Sequence, residues 1–511
     1  KVVSEIILIF LLLTLNLRGM KEAIKFLLPI FLGFVVVHVF LIIYGINAHS
    51  GRIPLLIPET VNETVSLSRE LGWTGVLAAL MLAYSRGGGT YTGLEAVSNN
   101  VNTLAEPRVR TGKWTMFYMA TSLALTAGGI LLLYLLWGVA KEEGQTLNAI
   151  TFKAIIDNLQ LGSPLLSQSA LFVVLALEAG LLFVAANTGF LGGPAVMANM
   201  AADSWVPRQF RQLSSRLVTQ NGMVLMGLAA LAILLWSQGN VSLLVVLYSI
   251  NVFLTFSISL YGLCVYWWRN RKPLTHWRRR LLLTVTGLTV TSSILLVLLV
   301  EKFGEGGWVT LLITSLVVGI CLLIRKHYYE VREQLRKIDE LFVAVPTWDD
   351  KVSAPQIDPS QPTAVFLVGK NLGVGMHTLL WVQRLFPKHF KNFIFLAAGE
   401  VDAQSYGAKE TMAELQQKIS NSLKYYIGFC HSHGLAAATY EVFGCDPVDE
   451  LTHLTEKVAQ QFPNCVFFAS KLIFQHDNLL TRMLHNQTAL TMQSRLHLRG
   501  MQMVILPMKV S

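Results

Sequence analysis

AYSRGGGTYTGLEAVSNN, residues 83–100, is the stretch on which the reading of this chain turns. It lies in an apolar run long enough to cross a bilayer, yet it breaks two rules of a simple membrane helix. Gly87, Gly88 and Gly89 stand in a row, and each glycine weakens a helix by about 1 kcal/mol relative to alanine. Uncoiled backbone is tolerated at membrane depth where it faces a cavity, so Gly88 and Gly89 are expected to lend their peptide groups to something crossing there. Glu95 follows, and an intramembrane carboxylate is costly unless it faces an internal polar path. Thr92, Glu95 and Asn99 recur at spacings of three and four and share one face if helix resumes after the glycines. The competing reading makes the glycines close-packing positions and Glu95 a neutral, hydrogen-bonded group joining helices.

The rest of the chain favours a membrane setting. Hydrophobic residues make up 53% of it and charged ones 14%, far more apolar than ordinary globular usage. The net charge of +10 does not point to nucleic acid, because the basic residues sit in short runs beside apolar segments. A spanning helix needs about twenty largely apolar residues. That criterion picks out nine segments, near 2–17, 24–46, 72–99, 114–138, 168–200, 222–237, 241–268, 281–300 and 306–324. Gln238 to Asn240 separate two of them so narrowly that the pair reads as a tight extracellular hairpin. The chain opens at Lys1 directly into VVSEIILIFLLLTLNL, which lacks the features of a signal peptide and is expected to be the interior of a helix in a longer protein.

Basic residues near membrane ends stay in the cytoplasm. One set of alternate loops holds Arg18, Lys21, Lys25, Arg108, Arg110, Lys113, Arg208, Arg211, Arg216, Arg269, Arg271, Lys272, Arg278, Arg279, Arg280, Arg325 and Lys326. The other holds only Arg52, Arg69, Lys141, Lys153 and Lys302. The asymmetry places Arg18 and the tail inside, in a plasma-membrane protein. Three parts are expected: a membrane domain over 1–325, a charged helical linker and loop over 326–362, and an α/β domain over 363–511. In the last, the runs TAVFLVG, NFIFLAAGEV, AATYEVFG, CVFFASKLIF and MQMVILPMKV alternate with helical stretches, as in a parallel sheet wrapped by helices.

Outside 83–100, His38 and Glu178 are ionisable residues within spans, and either suits a proton path or a helix contact. Asn187 and Thr188 suit hydrogen bonding between helices. Tyr248 is either a packing aromatic or a source of a hydroxyl oxygen. Arg86, beside the glycines, would repel a bound cation unless paired with a carboxylate such as Glu95 or Glu178. In the tail, VGKNLGVGMHT resembles a phosphate-cradling turn through Gly369, Gly373 and Gly375, but Thr378 stands where the dinucleotide fingerprint needs its last glycine, so a structural turn is preferred. The cysteines, Cys264, Cys321, Cys430, Cys445 and Cys465, form no CxxC pair and indicate neither a disulfide framework nor a zinc site. No spacing of Ser, His, Asp or Cys supports an enzyme.

Several motifs carry a resemblance. TYTGLEAVSN followed by AEPR is similar to the sixth membrane helix of the amino acid, polyamine and organocation permease superfamily. NLRGMKE resembles its loop between helices four and five, and AANTGFLGGPAVMANMAADSWVPRQF its eighth helix with the following loop. TGLEAVSN, LYSINVFLTFSIS and the long tail look most like the Kim-type potassium importers. The resemblance implies an all-α membrane bundle of LeuT type with two inverted five-helix repeats, of which this chain holds helices four to twelve, and a universal-stress-like α/β tail in the cytoplasm. It implies that Thr92 and Tyr248 offer oxygens to a dehydrated potassium ion and that Glu95 takes part in proton coupling. The chemistry fits, since potassium needs several oxygens in place of its water shell. The alternative passenger is an amino acid. The resemblance further implies a regulatory nucleotide on the tail, cyclic di-AMP or an adenine nucleotide, and is compatible with a homodimer. A membrane sensor with a nucleotide-binding tail is the reading from a different class.

Overall fold

The computed structural model describes residues 2–87, 97, 101, 104–272, 276–343, 355–369, 371–403, 409–474, 484 and 488–510. They fall into two compact units, Lys1–Gly192 with Met226–Val318, and Gly193–Leu225 with Gly319–Ser511. Helices come first along the chain: α1 (Val2–Arg18), α2 (Met20–Ala48), α3 (Ile53–Arg86), α4 (Arg108–Trp137), α5 (Leu147–Asn158), α6 (Pro164–Ala202), α7 (Gln220–Ser237), α8 (Val241–Arg269), α9 (Trp277–Lys302) and α10 (Trp308–Val343).

Among the described residues, seven helices are long and apolar enough to cross a membrane: Leu27–Ala48 within α2, then α4, α6, α7, α8 and α9, and Trp308–Glu340 within α10. This is a multi-pass membrane protein. α1 is equally apolar but has 17 residues, the lower edge of the about 17–25 that a spanning helix uses. The span expected near 72–99 is described continuously only to Gly87.

Two helices occupy stretches that an apolar-run criterion reads as loops. α3 starts at Ile53, with Pro54 in the first turn where its missing N–H costs nothing. Gly72 then adopts φ 70° and ψ 164°, a conformation open to glycine, so α3 is two helices meeting where the span was expected to begin. α5 is too short to span and is amphipathic instead. Thr146 caps it by accepting from Ala149 N at 3.2 Å, and Thr151, Phe152, Ile155 and Ile156 form its buried stripe. That stripe packs with Leu41 and Ile42 of α2, Leu133 of α4 and Val174 of α6. The expected hairpin is present: α7 ends at Ser237, Gln238 and Gly239 have positive φ, and Asn240 caps α8 through Leu243 N at 3.3 Å.

The second unit contains a parallel sheet in the order β3-β2-β1-β4-β5. Its elements are β1 (Thr363–Val368), α11 (Leu372–Leu385), β2 (Asn392–Glu400), α12 (Lys409–Ser432), β3 (Ala436–Gly444), α13 (Pro447–Gln461), β4 (Cys465–Phe474), α14 (Thr488–Leu498) and β5 (Met503–Val510). Each of the five apolar runs became a strand. Because side chains alternate across a strand, Ala364, Phe366, Phe393, Phe395 and Phe468 pack against Leu379 of α11 and Leu423 and Tyr426 of α12. Val365, Ile394, Leu396 and Phe467 face Val458 of α13 and Leu496 of α14 on the other side. Both faces are covered, which is why these strands read as nearly unbroken apolar runs.

Candidate functional site

Gly88, Gly89, Thr92 and Glu95 lie outside the described residues. α3 is helical up to Arg86 immediately before them. Tyr248 sits on α8, with its hydroxyl oxygen buried. Its helix carries Asn251, whose Oδ1 accepts a bond from Thr314 Oγ1 of α10 at 3.0 Å, and Phe253, whose ring lies 6.5 Å from that of Tyr84 on α3. An oxygen-bearing pair thus joins α8 to α10, and Phe253 of α8 meets the helix that leads into the glycine run.

The structure brings His38 and Glu178 together, although 140 residues separate them. His38 is fully buried on α2, and Glu178 on α6 is 18% exposed. His38 Nδ1 lies 2.9 Å from the Phe34 carbonyl one turn back, and Nε2 lies 3.4 Å from Glu178 Oε1. The imidazole is stacked on Phe34, with centroids 3.8 Å apart, and Phe152 of α5 meets it edge-on at 5.1 Å. Asn148, also on α5, donates from Nδ2 to the same Glu178 oxygen at 2.5 Å and accepts from the Tyr134 hydroxyl of α4 through Oδ1. Four elements thus converge on one polar chain, the half-buried Tyr134, Asn148 and Glu178 leading to the fully buried His38.

Asn187 is indeed a helix-to-helix hydrogen-bonding residue: Asn16 of α1, fully buried, donates to its Oδ1 at 2.6 Å. Thr188 bonds within its own helix, to the Ala185 carbonyl at 2.6 Å. Sequence reading missed Asn16, Asn148 and Tyr134. The clue for Asn148 was the capped, amphipathic pattern of 147–158, which marks a short helix lying on the bundle.

In the second unit two of the three glycines after β1, Gly373 and Gly375, are helix-packing positions. Gly373 and Gly375 lie inside α11, and the helix's amide at Gly373 donates to Asp339 Oδ1 of α10 at 2.7 Å. A side chain at Gly373 would run into Ile338 and Asp339, and one at Gly375 into the Tyr426 ring. The glycines let helices approach, and a carboxylate of the chain already sits where a phosphate would. Nearby, the α6–α7 loop reaches the end of β2. Arg211 pairs with Asp402 at 2.5 Å, Gln212 donates to Glu400 at 3.0 Å, and Gln212 and Asp402 form an antiparallel backbone bridge. Arg211, Gly369, Ala398, Glu400, Lys418 and Ser422 line a cleft of about 460 Å³ there, within the range of small-molecule sites. Burial pushes the Cys430 thiol up to about 12, so it carries no thiolate chemistry.

Comparison with known proteins rests on this membrane half. The model of the amino acid permease family matches residues 2–323. The chain belongs to that family. That family is one of membrane transporters. It is also 30% identical over 338 residues to the potassium transporter KimA of Bacillus subtilis (strain 168), an alignment covering 66% of this chain and 52% of that protein. The chain thus spans about half the length of the curated relative it matches.

Proposed function

We propose that this permease takes up potassium across the plasma membrane together with protons, with the tail in the cytoplasm. The observation that carries the reading is the 30% identity over 338 residues to a potassium transporter. Two features of the molecule support it. Oxygen-bearing Tyr248 and Asn251 lie on a helix packed beside the approach to the glycine run, and a buried histidine and carboxylate face each other within the bundle. Thr92, Tyr248 and the peptide groups of Gly88 and Gly89 would replace water around the cation, while Glu95 and the His38–Glu178 pair take up and release protons. The tail regulates uptake. The cleft beside Arg211 and Lys418 suits an adenine nucleotide, cyclic di-AMP included, better than the start of α11, which Asp339 occupies.

A second reading, proton-coupled amino acid uptake, is favoured by the family model itself. The two separate in one assay on the intact protein in proteoliposomes with an inward proton gradient. Potassium uptake predicts rubidium accumulation that unlabelled potassium competes away and that a mixture of amino acids leaves unchanged. Amino acid accumulation without rubidium flux would replace the first reading by the second. Vesicles silent to all solutes, with tight nucleotide binding by the intact protein, would leave the membrane sensor.

A further inference from the structure

A carbonyl oxygen only accepts hydrogen bonds, so the 2.9 Å contact of His38 Nδ1 with the Phe34 carbonyl requires a hydrogen on Nδ1. A neutral His38 then presents a bare acceptor at Nε2. Opposite it stands Glu178 Oε1, which already accepts from Asn148. Two acceptors face each other unless one further proton lies between them. With that proton the pair is neutral overall, either imidazolium with carboxylate or imidazole with carboxylic acid. Without it, a single negative charge remains beside a fully buried imidazole walled by Phe34 and Phe152. A carboxylate held by the Asn148 amide beside an apolar wall is less well solvated than in water, so losing the proton favours entry of water.

The cover over the pair is α5. It supplies Phe152 to the histidine and Asn148 to the carboxylate, and at twelve residues it is the shortest of the helices around the pair. Among the described residues, the other titratable groups near this region are Tyr134 of α4, bonded to Asn148, Tyr44 of α2, bonded to Asn158 at the far end of α5, and His49 just after α2, whose ring lies 4.1 Å from Trp137 of α4. Lys153 and Asp157 of α5 are exposed.

We propose that His38 and Glu178 form a one-proton binding site whose occupancy holds α5 closed over the bundle, and that release of the proton to water accompanies lifting of α5. Asn148 is the positioning residue that ties α5 to the state of the pair. This deepens the proton-coupled reading and rests on it for its role in uptake, but its test requires no flux.

The test is hydrogen–deuterium exchange of peptides covering 147–158 in the intact protein in nanodiscs, from pH 5.5 to 8.5, each rate divided by the intrinsic rate at that pH. If closing retains one proton that opening releases, protection of α5 falls by up to about tenfold per pH unit between the point where the open state loses the proton and the point where the closed state loses it, and is flat outside that window. Glu178→Gln places an amide nitrogen at the shared position, donating one N–H to His38 Nε2 and the other to Asn148, whose amide turns over so that Oδ1 accepts and Nδ2 donates to the Tyr134 hydroxyl; its α5 stays protected with no slope. His38→Gln donates to the carboxylate without a titrating proton, so it too loses the slope, and it serves where Glu178→Gln does not fold. Protection that is flat with pH in the parent protein overturns the proposal, as does an equal slope in both variants or a fall shared by peptides of α8. Failure of rubidium uptake with the α5 slope intact would remove the potassium reading and leave the proton site standing.

Discussion

Thr92→Val and Tyr248→Phe are each expected to weaken the apparent affinity for rubidium by roughly ten- to hundredfold, the equivalent of about 1.5–3 kcal/mol for one hydrogen-bonding group facing a charge. Both substitutions keep the shape of the side chain and remove a single oxygen. A dehydrated cation has no substitute for that oxygen inside a bundle, because water is what the site excludes. Tyr248 makes the sharper case. Its hydroxyl oxygen is buried on a helix whose neighbours Ser249 and Ile250 are buried with it, so Phe fits the same space. Unchanged rubidium kinetics in both variants would remove these residues from the path of the ion. Their protein yield and helicity serve as the control that only the site has changed.

Phe395→Ala should be the most damaging single change in the sheet domain, at about 3–5 kcal/mol for a large aromatic lost from a packed core. Phe395 is fully buried at the centre of β2, with its ring 5.2 Å from Phe366 and 4.8 Å from Tyr426. Cys430, on the same helix as Tyr426 and equally buried, reports the loss. Its modification by a thiol reagent requires opening of that face, so a stability loss of about 3 kcal/mol should raise its labelling rate by more than a hundredfold. A labelling rate within a few-fold of the parent would show that the face is not the continuous core described.

The membrane helices were legible because length and apolarity are themselves the physical requirement for crossing lipid. The Gly72 start and the Asn240 hairpin were legible for the same reason, as interruptions in apolar runs. The α/β domain was legible because strands buried on both faces leave unbroken apolar runs at regular spacing. α5 was not, since a short helix lying against a bundle needs only one apolar stripe, and the first half of α3 was not, since its residues 53–71 are almost all exposed and carry no long apolar run. The glycines at 373 and 375 were ambiguous in principle. Backbone exposed to a phosphate and backbone pressed against a helix both demand glycine, and only Asp339, 34 residues upstream, distinguishes them. The His38–Glu178 pair shows the same limit from the other side. Each residue looked isolated in sequence, because its partner and the Asn148 that ties them are contributed by different helices.

The most direct measurement of the central claim is proton movement driven by the cation. The intact protein is reconstituted with a pH-reporting dye trapped inside the vesicles, and potassium is added outside under a clamped membrane potential. Coupled uptake predicts that the lumen acidifies on addition of potassium and that choline in its place has no effect. A lumen whose pH does not respond to potassium, in vesicles that nevertheless accumulate rubidium, would contradict coupling of the two ions.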